Sequence, residues 1–219
     1  MKSIITAFIV AGIFVSCNSP EQPVNNAENT SETAPADTLV EVKYAEIDSD
    51  EALIATALMA APEESRVGCK VIGYNMKGEF VTLKEGDNEF ICLADNPGKE
   101  GFSAACYHKD LEPFMARGRE LRAEGKNHGE IFEIREEEVK SGKLKMGGAG
   151  TTLHVYFAPA ALYDPETSEV AGASYRYVVY MPWATAQSTG LPETPLAQNH
   201  PWIMNPGTHR ARIMITPKG

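Results

Sequence analysis

The sequence predicts an α+β domain: an antiparallel sheet with two or three helices packed on it. Three observations lead there. Thr151 to Phe157 alternates, with Leu153, Val155 and Phe157 on one side and Thr152, His154 and Tyr156 on the other. Leu111, Phe114, Met115, Gly118 and Leu121 recur instead at helical spacing. Between residues 69 and 94, three short strand-like runs are separated by tight turn signals, the pattern of an antiparallel meander.

Taken in order, the first element is a helix. Ser49 or Asp50 caps it, Leu53, Ile54, Ala57 and Leu58 form its apolar stripe, and Pro62 lies just beyond its end near Ala60. Cys69–Tyr74 and Glu79–Leu83 read as two strands joined by the hairpin signal Asn75-Met76-Lys77-Gly78. A third, Glu89–Ala94, follows Gly86-Asp87-Asn88, and Asp95-Asn96-Pro97-Gly98 then opens an irregular loop expected to run to Cys106. Asp110 is the expected cap of the second helix, with Pro113 tolerated in its first turn and Gly125 as its stop. Glu130 to Lys140 forms a third helix that turns Ile131, Ile134 and Val139 to the core, while Glu136 to Glu138 are solvated. Met146 to Gly150 is a turn, and Tyr175–Met181 is the second strong strand. Pro182 to Pro206 is an ordered long loop carrying Trp183 and Trp202, with a short helix near Ala184 to Ser188. Ala211–Thr216 closes the sheet.

Ahead of this domain stands a leader. Lys2 supplies a positive start, and Ile4 to Val15 is uncharged, well short of the roughly 20 residues a spanning helix needs. Phe14-Val15-Ser16-Cys17 resembles a bacterial lipobox, which implies cleavage before Cys17 and acylation of its thiol. The expected organisation is residues 1–16 as signal peptide, 17–48 as a lipidated disordered tether, and 49–219 as one globular domain. The tether is rich in Pro, Asn, Glu and Thr and buries too little apolar surface to offset ordering. Such a chain is anchored to a membrane through two or three acyl chains, outside the cytoplasm, and at the outer membrane in a Gram-negative host. The formal net charge of -10 argues against nucleic acid and anionic lipid as charged partners.

Three further cysteines remain, Cys69, Cys92 and Cys106. In an oxidising compartment two would pair. Cys92 with Cys106 is the preferred disulfide, closing a loop worth about 3 kcal/mol on the chain-entropy model, with pairings through Cys69 as the alternatives. A Cys69 left free reads as a small buried residue rather than a nucleophile.

The run Gly86-Asp87-Asn88-Glu89-Phe90-Ile91-Cys92, with the later Cys106, resembles a group of uncharacterised secreted bacterial proteins carrying G-x-N-x-[FW]-x-C and a second cysteine. Tyr180-Met181-Pro182-Trp183, Pro201-Trp202-Ile203-Met204, Pro206-Gly207-Thr208 and Ile213-Met214-Ile215 extend that resemblance. It implies no particular activity.

The chemistry-bearing residues divide the functional expectations. No C-x-x-C, H-E-x-x-H, Walker or G-x-S-x-G pattern occurs, so neither a cofactor nor a metal is expected. A binding domain for a small ligand or envelope partner would use Trp183, Trp202, His154, His200 and His209 as an aromatic, weakly polar site. A metal-dependent or other hydrolase would need His154, His200 and His209 to converge, which requires the last strand to pair with Thr151–Phe157. A purely structural envelope component is the third expectation.

Overall fold

The computed structural model describes residues 43–217; the leader and Cys17 lie outside them. Chain pairing begins earlier than residue 49, because Ala45–Glu46 (β1) already forms a ladder. Helix α1 follows at Asp50–Leu58, its amide at Ala52 bonded to the Ser49 hydroxyl oxygen. A 3-10 turn at Glu63–Gly68 leads to β2 (Lys70–Tyr74), β3 (Phe80–Lys84), β4 (Phe90–Leu93) and β5 (Phe102–His108). Two helices come next, α2 (Glu112–Ala123) and α3 (His128–Lys140). The chain then forms β6 (Thr152–Ala158), β7 (Leu162–Tyr163), β8 (Ser174–Tyr180), the short α4 (Ala186–Thr189), β9 (Trp202–Met204) and β10 (Arg212–Ile215). β1 and β7 make a separate two-stranded ribbon; the other eight strands form one sheet in the order β3-β2-β4-β5-β6-β8-β10-β9. The fold is therefore α+β.

Every pairing in the large sheet is antiparallel except one. β4 runs parallel to β2, with Lys70 opposite Ile91, so the first three strands are not the expected meander. The cause is a crossing at Gly86. A Cβ there would lie 2.3 Å from the backbone of Cys69 and Lys70, so only glycine lets the chain pass over the start of β2. The Gly68 carbonyl then accepts bonds from the Asp87 and Asn88 amides, which sets β4 down on the far side of β2.

Three other expectations change. Cys106 does not end a loop but sits within β5, so the irregular stretch is confined to residues 94–101. Asp110 does not cap the second helix; the His108 ring accepts from the Asp110 amide instead, within a 3-10 turn that precedes α2. The last strand does not touch β6: β8 lies between β6 and β10.

The sheet carries helices on both faces, and each face has its own core. On one, α1 lays Leu53 and Ala57 against Cys69, Val71, Ala104 and Tyr156. On the other, the α2–α3 hairpin covers Tyr107, Val178, Tyr180 and Met214 with Leu111 and Phe114. Burying a side chain such as Leu53 or Phe114 contributes about 1.5–3 kcal/mol, so both layers hold the sheet. Asn127 opens α3 with a reciprocal capping box, its side chain accepting from Gly129 and Glu130 amides while Glu130 reaches back to the Asn127 amide.

Candidate functional site: an arginine-rich pocket between sheet and helices

The α2–α3 hairpin does not close fully on the sheet. It leaves a pocket of about 230 Å³, smaller than the roughly 300–1,000 Å³ typical of drug-sized ligands. The sheet supplies an apolar floor from Leu93, Ala105 and Leu153, with Tyr107 and Tyr180 beside them. One stripe of α2 (Met115, Gly118, Arg119 and Arg122) forms a wall, and one stripe of α3 (His128, Ile131 and Arg135) faces it. Arg210, in the turn before β10, joins them. In an acidic chain, four arginines thus converge on one apolar cavity.

The four are not equivalent. Arg119 is neutralised: its guanidinium pairs with Glu112 at 2.5 Å and reaches the Tyr107 hydroxyl at 3.3 Å. The Tyr107 hydroxyl donates to Glu112, and burial followed by that carboxylate holds its pKa well above the ordinary tyrosine value. Arg135 has no such partner. It is only 7% exposed, and its Nη1 donates to the Phe114 carbonyl at 3.1 Å. The guanidinium lies 4.0 Å from the Phe114 ring centroid, and its Nε has no hydrogen-bond partner among the described residues. Burial, with the Arg210 charge next in size, brings its pKa down to about 10. Arg122 and Arg210 likewise form no ion pair among the described residues, and Arg210 Nε is also buried without a partner.

Local sequence explains how a guanidinium comes to lie there. Arg135 is four residues after Ile131 and four before Val139, so the α3 apolar stripe carries it inward. Gly118 makes room on the facing helix: a Cβ there would approach Arg135 Nη1 to 2.8 Å. A buried cation with no carboxylate beside it is expensive to keep, several kcal/mol after relaxation. Its chemistry is that of a planar fork waiting for an oxyanion.

The residues singled out from sequence are dispersed. His154 lies on the α1 face, between Phe90 and Tyr177. His209 is fully buried on the other face, its ring against Phe114 and Phe132 and its Nδ1 3.2 Å from Glu136. Burial lowers the pKa of both histidines, opposed at His209 by Glu136 and at His154 by a hydrogen bond with the Ala60 backbone. His200 Nδ1 is within 2.7 Å of the Pro201 carbonyl. The three histidines therefore do not converge, because β8 intervenes where direct pairing of the last strand with β6 was needed. Trp183 is 42% exposed beside Lys140, and Trp202 packs into the α2–α3 core; neither lines the arginine pocket.

Cys92 and Cys106 are register partners on β4 and β5 and are joined by a disulfide. With Cys69 they form the one group of three metal-ligating side chains within mutual reach among the described residues, sulfurs within 4.8 Å of one another. Two of those sulfurs are occupied by the disulfide. The third belongs to a thiol with no exposed surface, whose pKa burial raises. Cys69 has neither the access nor the acidity of a reactive thiol.

No helix among the described residues is long and apolar enough to cross a membrane. Comparison with protein-family models, with curated proteins and with solved structures found no match. The fold and pocket define an α+β sheet-and-helix-hairpin domain with an arginine-lined pocket between the sheet and the hairpin.

Proposed function

We propose that this is a non-enzymatic binding domain for a small amphipathic anion: a carboxylate or phosphate group held by Arg135, Arg122 and Arg210, with a short apolar body on the Leu93–Ala105–Leu153 floor. The observation that carries the reading is Arg135, a buried guanidinium with an unpartnered Nε and no ion-paired carboxylate among the described residues. An incoming oxyanion relieves both the unmet hydrogen bond and the repulsion among the arginines. Among the described residues no histidine triad, activated thiol or paired carboxylates accompany it, so the site supports retention of a ligand better than its conversion. Acylation at Cys17, read from the leader, belongs to the same proposal: it would hold the domain at a bacterial envelope.

The test is thermal unfolding of the purified full chain against acetate, butyrate, hexanoate and inorganic phosphate, with chloride at matched ionic strength. A ligand at a hundred times its Kd adds about 2.7 kcal/mol of stability. Oxyanions are expected to raise the transition over chloride, hexanoate more than acetate. Equal transitions in all five salts would refute the reading.

A further inference from the structure

The opposite face of the sheet carries a second cleft, of about 510 Å³, that the arginine pocket does not touch. It exists because the chain leaving α1 is built from small residues. α1 ends at Leu58, and Ala60 and Ala61 lead into Pro62, which opens the 3-10 turn Glu63–Gly68 beside His154 of β6 and Tyr175 and Tyr177 of β8. Beneath that turn Tyr175 and Tyr177 lie on one side of β8, two residues apart, with His154 directly opposite Tyr177 on β6.

The tyrosine rings form a staircase. Tyr156 and Tyr175 stack at 4.7 Å with 27° between planes, and Tyr175 and Tyr177 follow at 6.1 Å and 30°. The inner steps are fixed: the Tyr156 oxygen accepts from the Val170 amide, and the Tyr175 hydroxyl donates to the Met59 carbonyl. His154 braces Tyr177 edge-on at 5.2 Å. The outermost ring, Tyr177, is 37% exposed. At the rim stand Glu63 and Arg66, one of each sign, neither in an ion pair among the described residues.

We propose that this cleft binds a neutral saccharide, one pyranose ring lying on Tyr177 with its hydroxyls bonded by Glu63 and Arg66. Three features select that class. Tyr177 offers a partly exposed aromatic ring held in place by Tyr175 and His154, which suits the apolar C–H side of a sugar ring. The rim offers one acceptor and one donor of opposite charge, which suits hydroxyls and gives no preference for a charged ligand. β6 and β8 are interior strands whose backbone groups are already paired, so an extended peptide cannot add itself as a strand. The cleft volume also falls in the range of small-ligand sites.

The experiment is calorimetric titration of the purified full chain with chitobiose, cellobiose and maltose, repeated on Tyr177→Ala, Tyr177→Trp and Arg135→Met. At least one disaccharide is expected to bind, with affinity falling roughly tenfold in Tyr177→Ala and held or improved in Tyr177→Trp. Arg135→Met should leave it unchanged, which separates this site from the anion pocket. Far-UV circular dichroism reports whether each variant folds, and if Tyr177→Ala does not, the Tyr177→Trp result decides: loss of binding there refutes the proposal. Absence of binding by the wild-type chain to all three sugars, or binding indifferent to Tyr177→Ala, also overturns it.

Discussion

The two faces of the sheet are built from the same strands and differ in what they bury. The α1 face takes in sulfur, small aliphatics and stacked tyrosines, and its polar groups have partners. The α2–α3 face takes in Arg135, His209 and Arg210, each with one buried nitrogen (Nε, Nε2 and Nε) that has no partner among the described residues. A satisfied face stabilises; an unsatisfied one costs free energy and so asks for an occupant. The comparison sets the proposed anion site on the unsatisfied face, where the unpartnered nitrogens lie, and the proposed saccharide cleft on the satisfied one.

The largest expected effect attacks the secure side. Replacing both Cys92 and Cys106 by Ala should lower stability by about 3 kcal/mol, since the crosslink closes a 14-residue separation. Denaturant unfolding measures the loss. The anion-induced shift should survive it, because the sulfurs belong to the α1 core. Loss of that shift in a folded variant would show that the two faces are not independent.

Arg135→Met comes next and reverses the usual sign of a core substitution. Removing the unpaired charge while keeping its packing against Phe114 should stabilise the chain by about 1–3 kcal/mol and abolish the response to oxyanions. A destabilised variant would mean that the guanidinium is a structural strut rather than a receptor.

Gly118→Ala is subtler. The added methyl displaces Arg135 without removing it, so anion affinity should fall roughly tenfold, near 1.4 kcal/mol, with little change in the unliganded transition.

The smallest effect is in pH. Burial, the first cause in each case, holds the pKa of both His154 and His209 below the ordinary histidine value of about 6.5 in the folded chain. The unfolded chain therefore binds more protons in the window from those depressed values up to 6.5, and stability rises with pH across it. Denaturation midpoints measured through that window should fall on acidification, and His209→Phe, between Phe114 and Phe132, should flatten the slope. Glu136 acts in the same direction at lower pH: its Lys140 and His209 partners lower its pKa, so its contribution is lost as pH falls through the folded value. A slope unchanged in His209→Phe would remove that residue from the account.

Much of the architecture was legible from residue patterns. Alternation located β6, the strong strand run Tyr175–Met181 located β8, and the helical stripes of Leu53–Ala57 and Phe114–Leu121 marked α1 and α2. Pairing order was not, because nothing in a short strand says which neighbour it takes. Gly86 was read as part of a turn, when it is the point where two backbones cross. β1, β7 and β9 are two or three residues long, too short to show a period. The site failed for a related reason. Trp and His stand out in the sequence as residue types, and strand order separates them. Arg135 did leave a signal, a charge four residues from Ile131 and from Val139 on an apolar stripe, with Gly118 as a gap in the helix opposite. That signal acquires meaning only when the partner wall proves to contain more arginines and no free carboxylate.

The most direct measurement is nitrogen-15 NMR of the arginine side chains while butyrate is added, with the neutral butyramide as control. The account predicts that the Arg135 Nε–H resonance, identified by its absence in Arg135→Met, moves markedly and saturably with butyrate and stays put with butyramide. A resonance that ignores butyrate, or follows both compounds alike, would contradict it.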